Sequence, residues 1–199
     1  MLNLFQTVLK TFRARATAGE LLSLSIVSGT TLLVCCMLFI GAFTFFTSIA
    51  VMWAFGLLRG INLPSIDFAI SIAIFIVACF LVAILTKKIG NKALQFSESL
   101  SLLAILFLIK SISISPIDSL VSTFGQLWLT TEVGLFRVLM TTLSVTSILV
   151  TLIFIFLMSR AISNALSVKI SQAWPYVILF SFAPSYISHL PTILPLIFK

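Results

Sequence analysis

The hydrophobic positions of this chain form long runs that are separated by short polar segments. Five of the runs have about the length of a bilayer-spanning helix, which needs roughly 20 apolar residues. Short polar connections between such runs are typical of a membrane helix bundle. The pattern therefore predicts an all-α integral membrane protein with five transmembrane helices, over residues 28–50, 66–86, 98–114, 134–158 and 173–195.

The segment before these runs, 1–22, has a different pattern. Leu4, Phe5, Val8 and Leu9 recur at helical spacing, and cations such as Lys10 lie between them. Apolar residues at this spacing predict an amphipathic helix, and a basic polar face suits the membrane interface. We expect 1–22 to form an interfacial segment and 23–199 to form the membrane domain; the alternative is a solvated tail.

The first apolar run is longer than one span requires. The stretch 21–58 carries no charge, and as one helix it would be nearly twice as long as the hydrocarbon core of a bilayer is thick. Either one long helix leaves the bilayer on one side, or Gly41 marks a break. We expect a single span, with Trp53 at the far interface and a turn between Arg59 and Ser65.

Two polar, cationic elbows join consecutive apolar runs. The first elbow covers residues 87–97 and the second covers residues 160–172. Asn91 of the first corresponds to Asn164 of the second, and flanking Ile, Ala and Leu residues recur with two one-residue shifts. This recurrence predicts an internal repeat of helix, elbow and helix. Serines near the end of each elbow are expected to cap the helix that follows.

The remaining segments complete the predicted topology. Residues 115–131 are expected to be a connector with a short amphipathic piece. The run at 134–158 is rich in Ser and Thr, which can form hydrogen bonds between membrane helices. The last run contains Pro175, Pro184 and Pro191, so kinks are expected there.

Composition strengthens the membrane assignment. The chain is 60% hydrophobic and 9% charged, with a mean hydropathy of +1.25. A soluble domain is nearer half apolar and a quarter charged, so this chain could not cover its own surface in water.

The formal net charge of +7 indicates orientation rather than nucleic-acid binding, because no basic cluster is interleaved with aromatic residues. In a five-span topology the N-terminus and both elbows share one side, which then holds eight cations against four on the other side. Lys and Arg collect on the cytoplasmic side, so we expect the N-terminus inside and the C-terminus outside. The eight are Lys10, Arg13, Arg15, Lys87, Lys88, Lys92, Arg160 and Lys169, and the four are Arg59, Lys110, Arg137 and Lys199.

Catalytic chemistry finds little support in the sequence. The five acidic residues fall at predicted helix ends or in loops, not in mid-span, where an ionisable group would indicate function. Lys110 lies near the end of its span and is expected to snorkel to the interface. His189 is the single histidine and has no obvious serine partner, and the cysteines show no metal-ligand spacing. We therefore predict a protein that is not an enzyme and that has no catalytic residue, no cofactor and no metal site.

The elbows are the remaining candidates for function. Each could be a plain helix–turn–helix corner, in which cations hold the loop inside and Asn permits the turn. Each could instead contact anionic lipid headgroups or a cytoplasmic partner. The candidate residues for such contacts are Lys87, Lys88, Asn91, Lys92, Arg160, Asn164 and Lys169.

The arrangement of spans and elbows resembles the Yip family of small five-span membrane proteins, first known as partners of Ypt/Rab GTPases. In that family a Gly-containing elbow is followed by a Phe-led entry into the third span, and a Ser-Ala entry precedes the fifth. The matching residues are Gly90, Phe96 and Ser97, then Ser171 and Ala173.

The resemblance would cover residues 66–195. The glycine doublet that is common in the first elbow is absent, and so are the Tyr and Pro often seen in the third span. The short N-terminal segment resembles a bacterial-type member, which implies a location in the bacterial inner membrane and no catalytic residue.

Two functions remain open. The first is a non-enzymatic scaffold or assembly protein that packs with itself, as a homo-oligomer, or with other membrane proteins. The alternative is a subunit of a transport or protein-export complex, since internal repeats and Pro-interrupted helices are common in transporters. Transporter repeats are often inverted, whereas these elbows are predicted to face the same side. That orientation favours the scaffold.

Overall fold

The computed structural model describes residues 2–54, 66–131 and 134–197, with side chains over 4–51, 53–54, 69–125 and 134–187. This part of the chain is mostly helical, with eight helices and one two-stranded hairpin. The elements are α1 (Leu2–Phe12), α2 (Ala18–Leu21), α3 (Ile26–Ala54), α4 (Ile66–Leu85), β1 (Lys88–Ile89), β2 (Lys92–Ala93), α5 (Phe96–Ser113), α6 (Ser115–Thr131), α7 (Gly134–Leu166) and α8 (Ile170–Ile197).

Three helices in the described residues are long and apolar enough to cross a membrane. They are Ile26–Val51 within α3, Phe96–Ser113, which is α5, and Gly134–Leu166, which is α7. A shorter apolar stretch, Ala69–Leu85, lies in α4. Such helices suggest a membrane protein, since each matches or exceeds the roughly 17 residues that a span requires.

The first apolar run is one helix. α3 has 29 residues and passes through Gly41 without a break, as expected for a single span. At 1.5 Å per residue it is about 43 Å long, so it exceeds the hydrocarbon thickness of a bilayer. The predicted turn between Arg59 and Ser65 lies outside the described residues.

α5 is the central helix of the bundle. Nearly its whole length is buried, from Ser99 to Ser111 with the partial exception of Leu108. α3, α4, α6 and α8 pack around it, and Phe107 of α5 stacks against Phe75 of α4 with ring centroids 4.7 Å apart. A helix that is apolar all round is expected in such a position.

Contacts between helices fix their directions. α3 runs parallel to α5 and α6, because Gly29 lies against Leu100 and Thr44 meets Ser119 further along. α4 runs the opposite way, since its C-terminal end reaches the start of α5. There Ser99 donates a hydrogen bond to the carbonyl of Thr86.

The last two helices continue this alternation. α7 runs antiparallel to α6, because Gly125 faces Met140 and Asp118 faces Ser147. α8 returns alongside α5. The hairpin, the α7–α8 turn and α2 consequently lie at one end of the bundle, which we call the elbow end; the opposite end is the far end.

The segment 115–131, predicted to be a connector with a short amphipathic piece, is helical throughout. This segment forms α6, a helix of 17 residues that follows α5 after the single non-helical residue Ile114. The amide of Asp118 still donates to the carbonyl of Ile114 at 3.1 Å, so the helical hydrogen bonding nearly continues. Pro116 lies in the first turn, where its missing N–H group costs little.

The two elbows differ in conformation despite their similar sequences. In the first, Gly90 and Asn91 form the two-residue turn of the β1–β2 hairpin, in which Ile89 pairs with Lys92. In the second, the stretch 162–166 is the last turn of α7, and only 167–169 leave the helix. Gly90 adopts a φ of 56°, which favours glycine, and Ser163 at the corresponding position remains helical. The structure therefore does not reproduce the predicted repeat at the elbows.

Two further predictions concern the last helix. The side chain of His189 lies outside the described residues. α8 is one helix that includes Pro175, Pro184 and Pro191, so these prolines do not divide it.

Candidate functional site

The first elbow is a tight hairpin with a buried centre. Ile89 is fully buried, whereas Lys87, Lys88 and Asn91 are exposed and Lys92 is half-buried. The amide of Leu94 donates to the carbonyl of Lys87 at 2.9 Å and closes the hairpin. The hairpin thus buries one apolar side chain and directs its cations outward.

The hairpin contacts the start of α8. A Cβ atom placed on Gly90 would lie 2.7 Å from Oε1 of Gln172 and 3.1 Å from Cγ1 of Val168. Because real Cβ contacts are longer than this, only glycine fits here without displacement of its neighbours. The structure therefore brings the two elbows into direct contact.

The second elbow is a short break between two helices. Ser167 adopts a φ of 55°, a left-handed conformation that commonly ends a helix. The Ser163 hydroxyl donates to the carbonyl of Val168 at 2.6 Å, and Lys169 donates its amide to Oε1 of Gln172 at 3.3 Å. These bonds satisfy backbone groups that the helix ends leave free.

The N-terminal segment packs on the same end. Nδ2 of Asn164 donates to the carbonyl of Ala14 at 3.2 Å. The Ser101 hydroxyl donates to the carbonyl of Leu21 at 2.8 Å and accepts from the amide of Leu24 at 3.0 Å. These contacts tie the segment before α3 to α7 and to the central helix α5.

An ion pair joins α1 to α2. Lys10 contacts Glu20, and Thr17 caps α2 in a reciprocal arrangement with Glu20. The hydrogen bond from Lys10, then the amide of Thr17, lower the pKa of Glu20 below its ordinary value of 4.5. One face of α1 packs inward through Val8, while Phe5 is 66% exposed.

The elbow end therefore presents a cationic surface. Of the residues predicted to contact lipid or a partner, six are exposed and Lys92 is half-buried. Asn164 also has a structural role through its bond to Ala14. We call this surface the cationic platform; its members are Lys87, Lys88, Asn91, Lys92, Arg160, Asn164 and Lys169.

The N-terminal cap of α5 differs from the prediction in detail. α5 begins at Phe96, and the amide of Gln95 donates to Oε2 of Glu98 at 2.8 Å. Ser97 lies inside the first turn, and Ser99 instead bonds to the carbonyl of Thr86. Glu98 is the acidic first-turn residue that the sequence indicated.

Lys110 is the functional candidate that sequence reasoning missed. The sequence predicts that its side chain snorkels, yet it is only 7% exposed. Its Nζ donates to Oγ of Ser185 at 3.2 Å and lies 5.2 Å and 4.7 Å from the ring centres of Phe107 and Phe182. A cation between aromatic faces is stabilised by the ring quadrupoles. The physical reason for the difference is that α6 extends α5, so Lys110 faces α8 rather than an interface.

Asp118 is a second polar group that lies far from both ends of α7. The Ser147 hydroxyl of α7 donates to its Oδ1 at 2.5 Å. Ser147 lies nearly three helical turns from Arg137 and more than three turns from Arg160 along α7. Asp118 does lie at a helix end, in the first turn of α6, as expected. That end is nevertheless level with the middle of α7, a candidate span.

Hydroxyl groups line the contact between α3 and α6. Thr44 and Ser119 meet at 2.8 Å, and Ser48 and Thr123 meet at 3.3 Å. Ser119 also donates to its own helix at the carbonyl of Ser115. The sequence predicted interhelical hydrogen bonds from Ser and Thr of α7, and Ser147 forms one with Asp118. The pairs between α3 and α6 are additional to that prediction.

Comparison with known proteins adds no relative. No protein-family model, no curated protein and no solved structure matches this chain.

Proposed function

We propose that this chain is a non-enzymatic, five-span membrane scaffold or assembly protein that packs with itself or with other membrane proteins. In the proposed topology α3, α4, α5, α7 and α8 cross the membrane, with the N-terminus and the elbow end in the cytoplasm. The C-terminus lies outside. A bacterial inner membrane is the proposed location, and membership of the Yip family is part of the same proposal.

The observation that carries the proposal is the contrast between the interior and the outer surface of the bundle. α5 fills the interior, while the outer face of α7 exposes large apolar side chains along much of the helix. Such a surface suits lipid tails or other membrane helices, because water would not solvate it. The exposed residues of this face are Val138, Val145, Ile148, Leu149, Leu152, Ile153 and Phe156.

Charge supports the proposed orientation. The elbow end carries the eight cations of the predicted cytoplasmic side. Lys110, assigned by sequence to the other side, is buried within the bundle. Of the four cations that the sequence assigns to the other side, that leaves Arg59, Arg137 and Lys199, so the predicted asymmetry becomes stronger.

The cationic platform is the proposed contact for anionic lipid headgroups or a cytoplasmic partner. Each cation near an anionic membrane surface is worth about 1 kcal/mol. A double variant, Lys88→Gln with Lys169→Gln, should retain fewer phosphatidylglycerol molecules in native mass spectra. Arg137→Gln with Lys199→Gln makes the same charge change away from the platform and should retain as many as the unaltered protein.

The scaffold itself is tested by mass measurement in lipid nanodiscs or mild detergent. A monodisperse homo-oligomer, or a complex with stoichiometric foreign subunits, is the expected result. A monomer at every concentration, with no subunit retained from the native membrane, would contradict the proposal.

Burial of Lys110 favours a second candidate, a subunit of a transport or protein-export complex. Ionisable residues inside membrane proteins often mark ion or substrate pathways. Proteoliposomes that contain the protein should then show an ion or solute flux that Lys110→Met reduces. Equal flux in empty and loaded vesicles would remove this candidate.

A further inference from the structure

Asp118 is exposed on the outer side of α6 although it lies level with the middle of α7. Ser122, one turn further along α6, is exposed on the same side. On α7 the neighbouring outer positions include Val145 and Ile148, which are 52% and 60% exposed, and the hydroxyl of Thr146 bonds within its own helix. A carboxylate therefore lies at mid-depth on an outer surface that is largely apolar along α7.

The contacts within the chain satisfy this carboxylate only in part. Ser147 provides one hydrogen bond. Among the described residues, Lys10 and Glu20 form a salt bridge. Lys110 interacts electrostatically with Asp118, but its Nζ donates its hydrogen bond to Ser185 and forms no salt bridge with the carboxylate. An ionised carboxylate can accept about four hydrogen bonds, so Asp118 can still bind a donor from outside.

Lipid tails cannot supply that donor. A charged side chain in the hydrocarbon region costs several kcal/mol, and such residues almost always pair with another group. In the five-span topology proposed above, on which this inference rests, the outer face of α6 and α7 borders the hydrocarbon region. A partner with a donor at the same depth would remove the cost.

We propose that the face around Asp118 docks a transmembrane helix of a different protein, which carries Lys or Arg near its middle. The cation would bind the carboxylate beside Ser147, and the apolar part of the partner helix would pack on α7 near Ile148. Interhelical polar bonds of this kind stabilise membrane complexes and set their register.

Charge complementarity favours a foreign helix over a second copy of this chain. Two copies in one membrane share the same orientation, so groups at equal depth meet. At the level of Asp118 the second copy would again present Asp118. Within the described residues, Lys110 is buried and Arg137 lies nearly three helical turns away along α7.

The test uses designed single-span peptides in vesicles that contain the purified full chain. The peptides are Leu-Ala helices that differ at the central position, which is Lys, Leu or Asp. Energy transfer between labelled peptide and protein measures association. The Lys peptide should bind at least about tenfold more tightly than the Leu peptide, which is the scale of a strong interhelical polar bond.

Variants assign the preference to Asp118. Asp118→Asn should abolish the preference for Lys, whereas Asp118→Glu, which keeps the charge, should retain it. Glu98→Gln is the matched control at the elbow end and should leave it unchanged. Equal binding of the Lys and Leu peptides, or an unchanged preference in Asp118→Asn, would overturn the proposal. Self-association that Asp118→Asn abolishes, with no preference among the peptides, would assign the face to a second copy.

The same vesicles separate the failure of docking from the failure of the proposed function. Impermeant reagents at Asn91→Cys and Asn164→Cys report whether both elbows face one side. Opposite labelling would contradict the five-span topology itself. Correct labelling with no peptide discrimination would contradict only the docking site. Circular dichroism and the midpoint of SDS unfolding confirm that each variant is folded.

Discussion

At Gly90 both the backbone conformation and the packing favour glycine. Its φ of 56° costs an L-residue roughly 1–2 kcal/mol, and an added Cβ would meet Gln172 and Val168. Gly90→Ala should therefore lower the free energy of unfolding by about 1–3 kcal/mol, measured by SDS titration in mild detergent.

Gly134→Ala is the matched control for that variant. Nothing lies within 4 Å of a Cβ atom there, and alanine favours a helix. Unfolding free energies that change equally in the two variants would contradict the role given to Gly90.

Lys110 has an amine that aqueous reagents should not reach. The protein in native detergent micelles is treated with an amine-reactive ester and analysed by mass spectrometry. Lys87, Lys88 and Lys169 are exposed and should be modified, whereas Lys110 should react only after unfolding. Modification of Lys110 at the rate of Lys87 would show that its side chain reaches the surface.

Glu20 gives the elbow end a defined response to pH. Its pKa is lower in the folded protein, chiefly through Lys10 and Thr17. The stabilisation is thus complete above the unfolded-state pKa and is lost as the pH falls through the folded-state value. Hydrogen exchange over 17–21 should quicken across that acidic range, after correction for the intrinsic rate.

Glu20→Gln isolates this effect. Glutamine can retain the capping interaction with Thr17 but has no charge for Lys10. Corrected protection in the variant should no longer depend on pH in the acidic range. Unaltered pH dependence would assign the effect to another group.

Among single residues, the sequence predicted exposure better than burial. Charges placed in the elbows are at the surface, because short polar segments between apolar runs have nowhere else to lie. Lys110 was misplaced, since it is buried in the bundle rather than at an interface. Asp118 lies at a helix end, as predicted, but packing puts that end level with the middle of α7. No local signal shows that α6 extends α5 past Pro116.

At the scale of elements, the apolar runs predicted the long helices closely and their ends less well. α3 and α4 match their runs to within a few residues, because uninterrupted hydrophobicity determines both. α7 continues past its predicted end to Leu166, since Arg160 and Asn164 are tolerated in a helix that has left the apolar region. The conformations of the two elbows diverge because Gly90 permits a turn that Ser163 does not require.

The packing of α6 on α3 depends on hydroxyl pairs, of which Thr44 and Ser119 form one. A double-mutant cycle with Thr44→Val and Ser119→Ala should give a coupling energy of about 0.6 kcal/mol, the average for interhelical bonds in a membrane protein. SDS unfolding of the four proteins measures it. The cycle of Thr44→Val with Ser113→Ala is the control, because Ser113 bonds within its own helix. A coupling equal to that of the control would show that the hydroxyl contact contributes nothing.

At the scale of the whole molecule, the alternating directions of the helices bring several polar segments to one end of the bundle. The elbow end gathers the N-terminal segment, the hairpin and the α7–α8 turn, and the proposed five-span topology predicts that all of them lie in the cytoplasm. In inverted and right-side-out vesicles, Lys88→Cys and Lys169→Cys should react with an impermeant thiol reagent from the cytoplasmic side. A tag after Lys199 should be cleaved only from the outside. Labelling of Lys88→Cys and Lys169→Cys from opposite sides would contradict the topology.

The mostly helical class and the order of the long helices could be predicted from sequence, because long apolar runs permit few other structures. The candidate site was half predicted. The cationic platform follows from polar residues that cannot enter the bilayer. The positions of Lys110 and Asp118 depend on which helices face each other. Three-dimensional packing determines this arrangement.

The central position of α5 has a consequence for biogenesis. The ribosome delivers α5 well before α8, and Ser185 is made 75 residues after Lys110. During that interval the ammonium group has neither its hydroxyl acceptor nor the ring of Phe182. In the proposed five-span topology, α5 therefore enters the membrane before the groups that enclose its lysine have been synthesised.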